Sequence, residues 1–265
     1  MNFKQIQSKE NKLIKYVKAL HKTSFSRQEN VIIIEGIRVV LEVLKCKIPL
    51  KAFFLTKDFY LKNRNEDYFQ KLITGTEDTY LIDEKLLKHI SQVETSSGFL
   101  LLAGVNLLKS GLGAVTGRIV ACLDNIKDPG NLGTILRTSL AMGVKDIILS
   151  GGSVSPYNSK VIRGSAGAVF KLNIYLSEDL EDLKILKNKG YKVYSTSSHS
   201  KQSLADFKIE YPSVFVFGRE SSGISGITEK ISDAVLSLPL KENVESLNVS
   251  AACAVFLYEA AGRSK

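Results

Sequence analysis

Between Asp124 and Val144 the chain reads DNIKDPGNLGTILRTSLAMGV, and its polar groups are not ones that core packing alone would select. A short run of β-formers, Arg118 to Leu123, leads into it, and Asp128-Pro129-Gly130-Asn131 is strong turn chemistry. Leu132, Ile135, Leu136 and Leu140 fall at helical spacing, which predicts a helix from about Asn131 with one apolar face. Asn131 then stands at the mouth of that helix, as an N-cap or as a site residue, and Arg137 stands nearly two turns in. Two later segments carry comparable groups. The run from Ser213 reads as a buried strand that emerges at Gly218, Arg219 and Glu220. The run from Ala234 reads as a strand stopped by Pro239, followed by a polar loop and by Ser246-Leu247-Asn248 opening a long apolar helix, Val249 to Ala261. In open α/β sheets ligands bind outside the carboxyl ends of the strands, so the three clusters would converge there on one polar site.

The elements that must position this site alternate along the whole chain. Residues 1–106 read as a basic helix, then strand Val31 to Glu35, helix Arg38 to Leu44, strand Ala52 to Leu55, helix Asp67 to Ile73, strand Thr79 to Ile82, helix Glu84 to Ile90 and strand Phe99 to Val105. Leu108 to Gly117 is Gly-rich without a clear period and reads as a linker. The expected division is therefore a domain at 1–106, a linker at 107–117 and a second domain at 118–265. Strong basicity, 36 Lys and Arg against 27 Asp and Glu for a net charge of +9, leans toward a polyanionic partner. It is concentrated at the start. Lys12, Lys15 and Lys18 lie on a predicted amphipathic helix whose apolar stripe is Leu13, Val17 and Leu20, which suits a phosphate-tracking surface better than a membrane surface. Cys46, Cys122 and Cys253 are scattered, and His21, His89 and His199 have no metal spacing and read as surface or interface residues, so neither a disulfide framework nor a metal site is expected. No apolar run is long enough to cross a bilayer and the opening residues lack a signal pattern, which predicts a cytoplasmic protein.

At its three polar clusters the chain resembles the SpoU (TrmH) family of RNA ribose 2′-O-methyltransferases in the SPOUT superfamily. The family's first motif is matched by Asp124, Asp128, Pro129, Gly130, Asn131, Gly133 and Arg137, its second by Gly218, Glu220 and Gly223, and its third by Pro239 and Ser246 to Ser250. Arg219 departs from the pattern, since many members carry Asn there; a basic residue at that place could add a phosphate contact or alter the pocket rim. Less specific strings, Glu35-Gly36-x-Arg38 and Ser97-Gly98-Phe99, resemble the family's substrate-binding module. The fold class implied is α/β: an N-terminal ribosomal-protein-like α/β substrate-binding domain followed by a SPOUT α/β domain with a C-terminal trefoil knot. A homodimer whose interface completes the active site is also implied.

The resemblance further implies S-adenosylmethionine as methyl donor, a ribose 2′-hydroxyl as nucleophile, and no metal. Its implied catalytic residues are Asn131, Arg137, Glu220, Ser246 and Asn248. A free guanidinium has a pKa around 13, so neutralising it near pH 7 costs roughly 8 kcal/mol, and Arg137 reads as an electrostatic clamp on a phosphate or a developing alkoxide rather than as a ready base. Asn131 would orient Arg137 or the ribose, Glu220 would fix a donor or the Arg geometry, and Ser246 and Asn248 would contact the substrate ribose or the cofactor. Motif alignment places Gly218, Leu238 and Leu247 on the donor pocket, with Thr196 as a further candidate. Lys12, Lys15, Lys18, Arg38 and Arg219 are the expected RNA contacts. By analogy, the large first domain favours ribosomal RNA of the 23S type over tRNA. A tRNA methylase and a noncatalytic RNA-binding assembly factor are the alternatives.

Overall fold

Strands rich in Val, Ile, Leu and Phe alternate with amphipathic helices from the start of the chain, and each such strand needs cover on both faces. The computed structural model describes residues 3–218, 223–241 and 244–263. Its backbone separates into two units, Met1–Asn106 with Tyr157–Phe170, and Leu107–Pro156 with Lys171–Lys265.

The first unit contains β1 (Lys4–Gln5), α1 (Lys12–Leu20), α2 (Thr23–Glu29), β2 (Val31–Ile34), α3 (Ile37–Lys45), β3 (Leu50–Leu55), α4 (Lys57–Asn63), α5 (Asp67–Gly75), β4 (Thr76–Leu81), α6 (Glu84–Ile90) and β5 (Phe99–Gly104). Its mixed sheet runs β1-β4-β3-β5-β2, with β5 antiparallel to both β2 and β3. Ile14, Val17 and Leu20 of α1 join Phe54, Leu86, Leu87 and Ile90 in one core cluster. The inward stripe of α1 is thus Ile14-Val17-Leu20, with Leu13 only half-buried, a shift from the expected Leu13-Val17-Leu20. Phe53, Phe59, Phe69 and Phe99 form a separate set of ring contacts. Helix α4 had no counterpart in the sequence reading. Thr56 caps it by accepting from Phe59 N, and Phe59 is its buried anchor. Gly98 must be glycine here, because its φ is +84° and a Cβ would stand 3.0 Å from Cβ of Phe59.

The second unit contains β6 (Leu108–Lys109), β7 (Ile119–Leu123), α7 (Pro129–Ala141), β8 (Asp146–Ser150), β9 (Asn173–Ser177), α9 (Leu183–Asn188), β10 (Lys192–Thr196), β11 (Ser213–Phe217), α10 (Gly226–Ile231), β12 (Ala234–Leu236) and α11 (Val249–Arg263); α8 (Ser159–Gly164) falls between β8 and β9 in the chain but belongs to the first unit. Seven parallel strands run β12-β10-β11-β7-β8-β9-β6. Strand β11 alternates cleanly: Val214 and Val216 join the cluster containing Leu183, Leu186 and Ile231, whereas the rings of Phe215 and Phe217 meet Phe256 of α11. The expected linker is packed. Leu108 and Lys109 pair with β9, and Leu112 and Val115 are buried, since two apolar side chains among glycines suffice to draw the segment onto the sheet.

The chain leaves β7 toward β8 and β9, then returns to fill the other side with β10, β11 and β12, so the direction of travel reverses between β7 and β11. Asp124 N donates to Phe217 O across this switch at 2.8 Å. Segment Tyr157–Phe170 packs within the first unit. Tyr157 donates to Asn30 Oδ1 at 3.1 Å, and Nη1 of Arg163 lies 3.7 Å from Oε2 of Glu35, which is 4 % exposed. The other Glu35 oxygen accepts from Ser91 Oγ. Glu35 of the Glu-Gly-x-Arg element is thus a buried ion-pair partner, whereas Arg38 is exposed at the start of α3. Among the described residues no helix is long and apolar enough to cross a membrane.

Candidate active site

Asp124 follows β7 directly and is only 5 % exposed. Its Oδ2 accepts from Ser225 N at 2.8 Å and from Thr228 Oγ1 at 2.9 Å, which ties the end of β7 to the start of α10. Further along, Asp128 Oδ1 accepts from Asn131 N at 2.8 Å, and Pro129 takes the first helical position, where no donor is needed. Helix α7 therefore begins at Pro129, and Asp128 rather than Asn131 is its N-cap. Freed from capping, the Asn131 side chain uses Oδ1 to accept from Asn248 Nδ2 at 3.0 Å. Asn248 in turn organises the head of α11, its Oδ1 accepting from Ser250 N at 2.9 Å and from Ser250 Oγ at 2.6 Å. Arg137 is exposed on α7 and makes no hydrogen bond or ion pair with a described residue.

A cavity of about 420 Å³ lies beyond the carboxyl ends of β10, β11 and β12. Thr196, Gly218, Leu238 and Leu247, the four expected donor-pocket residues, all line it, together with Ser246. Asn131 and Arg137 do not, but Asn131 is joined to the wall through Asn248. Thr196 keeps its hydroxyl on Val216 O at 3.1 Å. At Gly218 a Cβ would lie 2.3 Å from the carbonyl carbon of Gly223 and 2.5 Å from Ile224 N. Backbone crosses directly over that residue, and any side chain would displace it. One wall is a loop pinned to β12: Ser197 N donates to Leu236 O at 3.0 Å, and Ser200 Oγ to Val235 O at 2.6 Å.

His199, read from the sequence as a surface or interface residue, and Glu229, which the sequence does not single out, also line the cavity. His199 follows a strand end within a Ser-rich run, which is a weak positional signal. Glu229 lies on α10, which the sequence reading did not foresee. Glu220 and Arg219 lie outside the described residues. Lys12, Lys15 and Lys18 are exposed on α1 in the first unit. Burial pushes the thiols of Cys122 and Cys253 well up, with the Asp124 charge adding to the effect at Cys122, so both are neutral packing groups rather than nucleophiles. Among the described residues no group of three or more His, Cys, Asp or Glu could hold a metal ion.

The family model described as "SpoU rRNA Methylase family" matches residues 118–258. The chain belongs to the SpoU rRNA methylase family. All three polar clusters fall inside this SpoU match, and residues 11–101 match an "MRM3-like substrate binding domain". The chain is 28% identical over 259 residues to the 23S rRNA (guanosine(2553)-2'-O)-methyltransferase RlmP of Bacillus subtilis, spanning 98% of this chain and 100% of that protein. It is 31% identical over 157 residues to the 23S rRNA (guanosine-2'-O-)-methyltransferase RlmB of Xanthomonas axonopodis, spanning 58% and 63% of the two chains. The fold is that of solved SpoU-type structures. An AdoMet-bound rRNA methyltransferase from Sinorhizobium meliloti matches with a TM-score of 0.83 at 24% identity, covering 99% of this chain and 98% of that one. The SpoU methyltransferase AviRb from Streptomyces viridochromogenes, in complex with AdoMet, matches with a TM-score of 0.84 at 19% identity, covering 96% and 98%.

Proposed function

We propose that this SpoU-family chain is an S-adenosylmethionine-dependent RNA 2′-O-ribose methyltransferase acting on ribosomal RNA of the 23S type. The observation that carries the reading is the Asn131–Asn248 bond, which joins the first and third motifs beside a cavity lined by every donor-pocket residue the motifs select. The 23S rRNA substrates in the names of RlmP and RlmB support the choice of RNA.

The cavity fits the donor. About 420 Å³ lies in the usual range for small-molecule sites, and its lining combines apolar Leu238, Leu247 and Phe256 with strand-end backbone and small hydroxyls. When bound, S-adenosylmethionine supplies an electrophilic methyl group. Thr196, Gly218, Leu238 and Leu247 would hold it, Gly218 by letting the 223–224 backbone close over the site. Arg137, exposed and without a hydrogen bond or ion pair among the described residues, would bind a target phosphate or stabilise negative charge growing on the 2′-oxygen. Asn131, held by Asn248, would orient the ribose, with Ser246 beside it and Glu220 completing the catalytic set. Most of the rate enhancement would come from this positioning.

The remaining expectations belong to the same proposal. Residues 1–106 would bind RNA through Lys12, Lys15, Lys18 and Arg38, Arg219 would add a phosphate contact, and residues 118–265 would carry catalysis. Helix α11 presents Ala251, Val255 and Tyr258 outward at helical spacing, Val255 46 % and Tyr258 67 % exposed, which supports a homodimer. Packing of α11 on α7, although β12 before it lies at the sheet edge, supports the trefoil knot. A cytoplasmic location follows from a ribosomal RNA substrate.

The test is transfer of labelled methyl from S-adenosylmethionine to unmodified ribosomal RNA and, separately, to tRNA, with digestion to nucleosides. A 2′-O-methylnucleoside from ribosomal RNA is expected. Transfer to tRNA alone would overturn the substrate, and donor binding without transfer to either RNA would overturn the activity.

A further inference from the structure

The polar groups of the cavity are unevenly distributed. Among the described residues that line it, His199 and Glu229 are the only ones with titratable side chains; the rest are apolar residues, glycines, Ser and Thr. Both are exposed, at the rim, and neither side chain makes a hydrogen bond or ion pair with a described residue. Their backbones are nonetheless held in place. Glu229 N donates to Ser225 O at 2.9 Å in a helix whose cap, Ser225, is tied to Asp124. His199 N donates to Ser197 Oγ at 3.2 Å, and the loop on either side is bonded to Leu236 and Val235.

The donor has two chemically different ends: an aromatic base on a ribose, and an amino acid that is zwitterionic at neutral pH. Taking a zwitterion out of water is costly unless both charges are matched, so that end belongs at a wet rim while the base suits the apolar interior. We propose that Glu229 and His199 form a rim subsite for the amino-acid end of the donor, the Glu229 carboxylate accepting from its α-ammonium and a His199 ring N–H donating to its α-carboxylate. This rests on the donor reading above and names the residues that select a tailed ligand over a bare nucleoside.

Binding to the full chain, measured by calorimetry, separates the possibilities with three ligands: S-adenosylmethionine, S-adenosylhomocysteine, which keeps the tail without the sulfonium charge, and 5′-methylthioadenosine, which lacks the tail. Glu229→Gln and His199→Ala should each weaken the two tailed ligands about fivefold, as expected for a partly exposed charged contact, and leave 5′-methylthioadenosine within about twofold. Retained binding of that ligand also reports that the variants are folded. Equal weakening of all three ligands, no change for any, or a loss confined to S-adenosylmethionine would each overturn the subsite. A wild-type chain that binds none of the three would instead overturn the donor reading itself.

Discussion

Oδ1 of Asn131 accepts a hydrogen bond from Nδ2 of Asn248 at 3.0 Å, across 117 residues of chain. The two carboxamides are not equivalent. Asn248 also caps α11 through Ser250, whereas Asn131 leaves the capping of α7 to Asp128. Asn248→Ala should therefore cost about 1–2 kcal/mol of stability in urea denaturation, and Asn131→Ala less than about 1 kcal/mol, while both depress methyl transfer. Equal destabilisation by the two would mean that the contact is a structural tie alone.

Arg137 offers a cleaner separation of activity from stability. Because it is exposed and makes no bond with a described residue, Arg137→Ala should leave the melting temperature unchanged and donor affinity intact. Turnover should fall by at least about 100-fold, the scale expected for losing an electrostatic stabiliser of the transition state. Full activity in the variant would remove Arg137 from the reaction.

The three lysines of α1 should contribute unequally to RNA binding. Lys15 Nζ lies 2.5 Å from Glu10 and Lys18 Nζ donates to His89 O at 3.0 Å, whereas Lys12 has no partner among the described residues. Lys12→Ala should reduce the slope of log affinity against log salt by about 0.7–0.9, the value for one phosphate contact, and Lys15→Ala by less. Donor affinity should be unaffected, and an unchanged slope in the triple variant would dismiss this surface.

His21 predicts a pH dependence of stability. Its Nε2 lies 2.7 Å from Ile90 O, and its Nδ1 is buried without a partner. Burial holds its pKa below the ordinary 6.5, with Lys18 and Arg163 adding to the depression and Ile90 O and Glu35 opposing it. Below about pH 6.5 the unfolded chain binds this proton more readily than the native one, so the contribution is complete above that pH and is lost as pH falls toward the native value. In urea melts between about pH 7.5 and 5.5, His21→Asn should show a flatter fall in stability than the parent. Parallel curves would assign the loss to other groups.

Much of the site was legible because its signals are local. A turn such as Asp128-Pro129-Gly130-Asn131 is set by the φ of proline and the freedom of glycine within four residues, and an apolar helix face needs only a period. The sequence by itself determined the α/β class, the helix carrying Arg137, the strand end at Gly218 and the basic face of α1, whereas the last strand, expected to run to Leu238, stops at Leu236. Tertiary structure alone decided who meets whom. Asp124 was legible as a motif residue but not as the buried acceptor for Ser225 and Thr228, 101 and 104 residues away. Glu35 gave no sign of pairing with Arg163, and His199 and Glu229 share a cavity only because parallel strands bring their carboxyl ends to one edge. The N-cap at Asp128 is set locally by Pro129 at the first helical position, but the bond that the Asn131 side chain makes to Asn248 was decided in three dimensions. Residue type and spacing constrain what a side chain can do, but burial and the partner that arrives from a distant segment select which of those capacities is used.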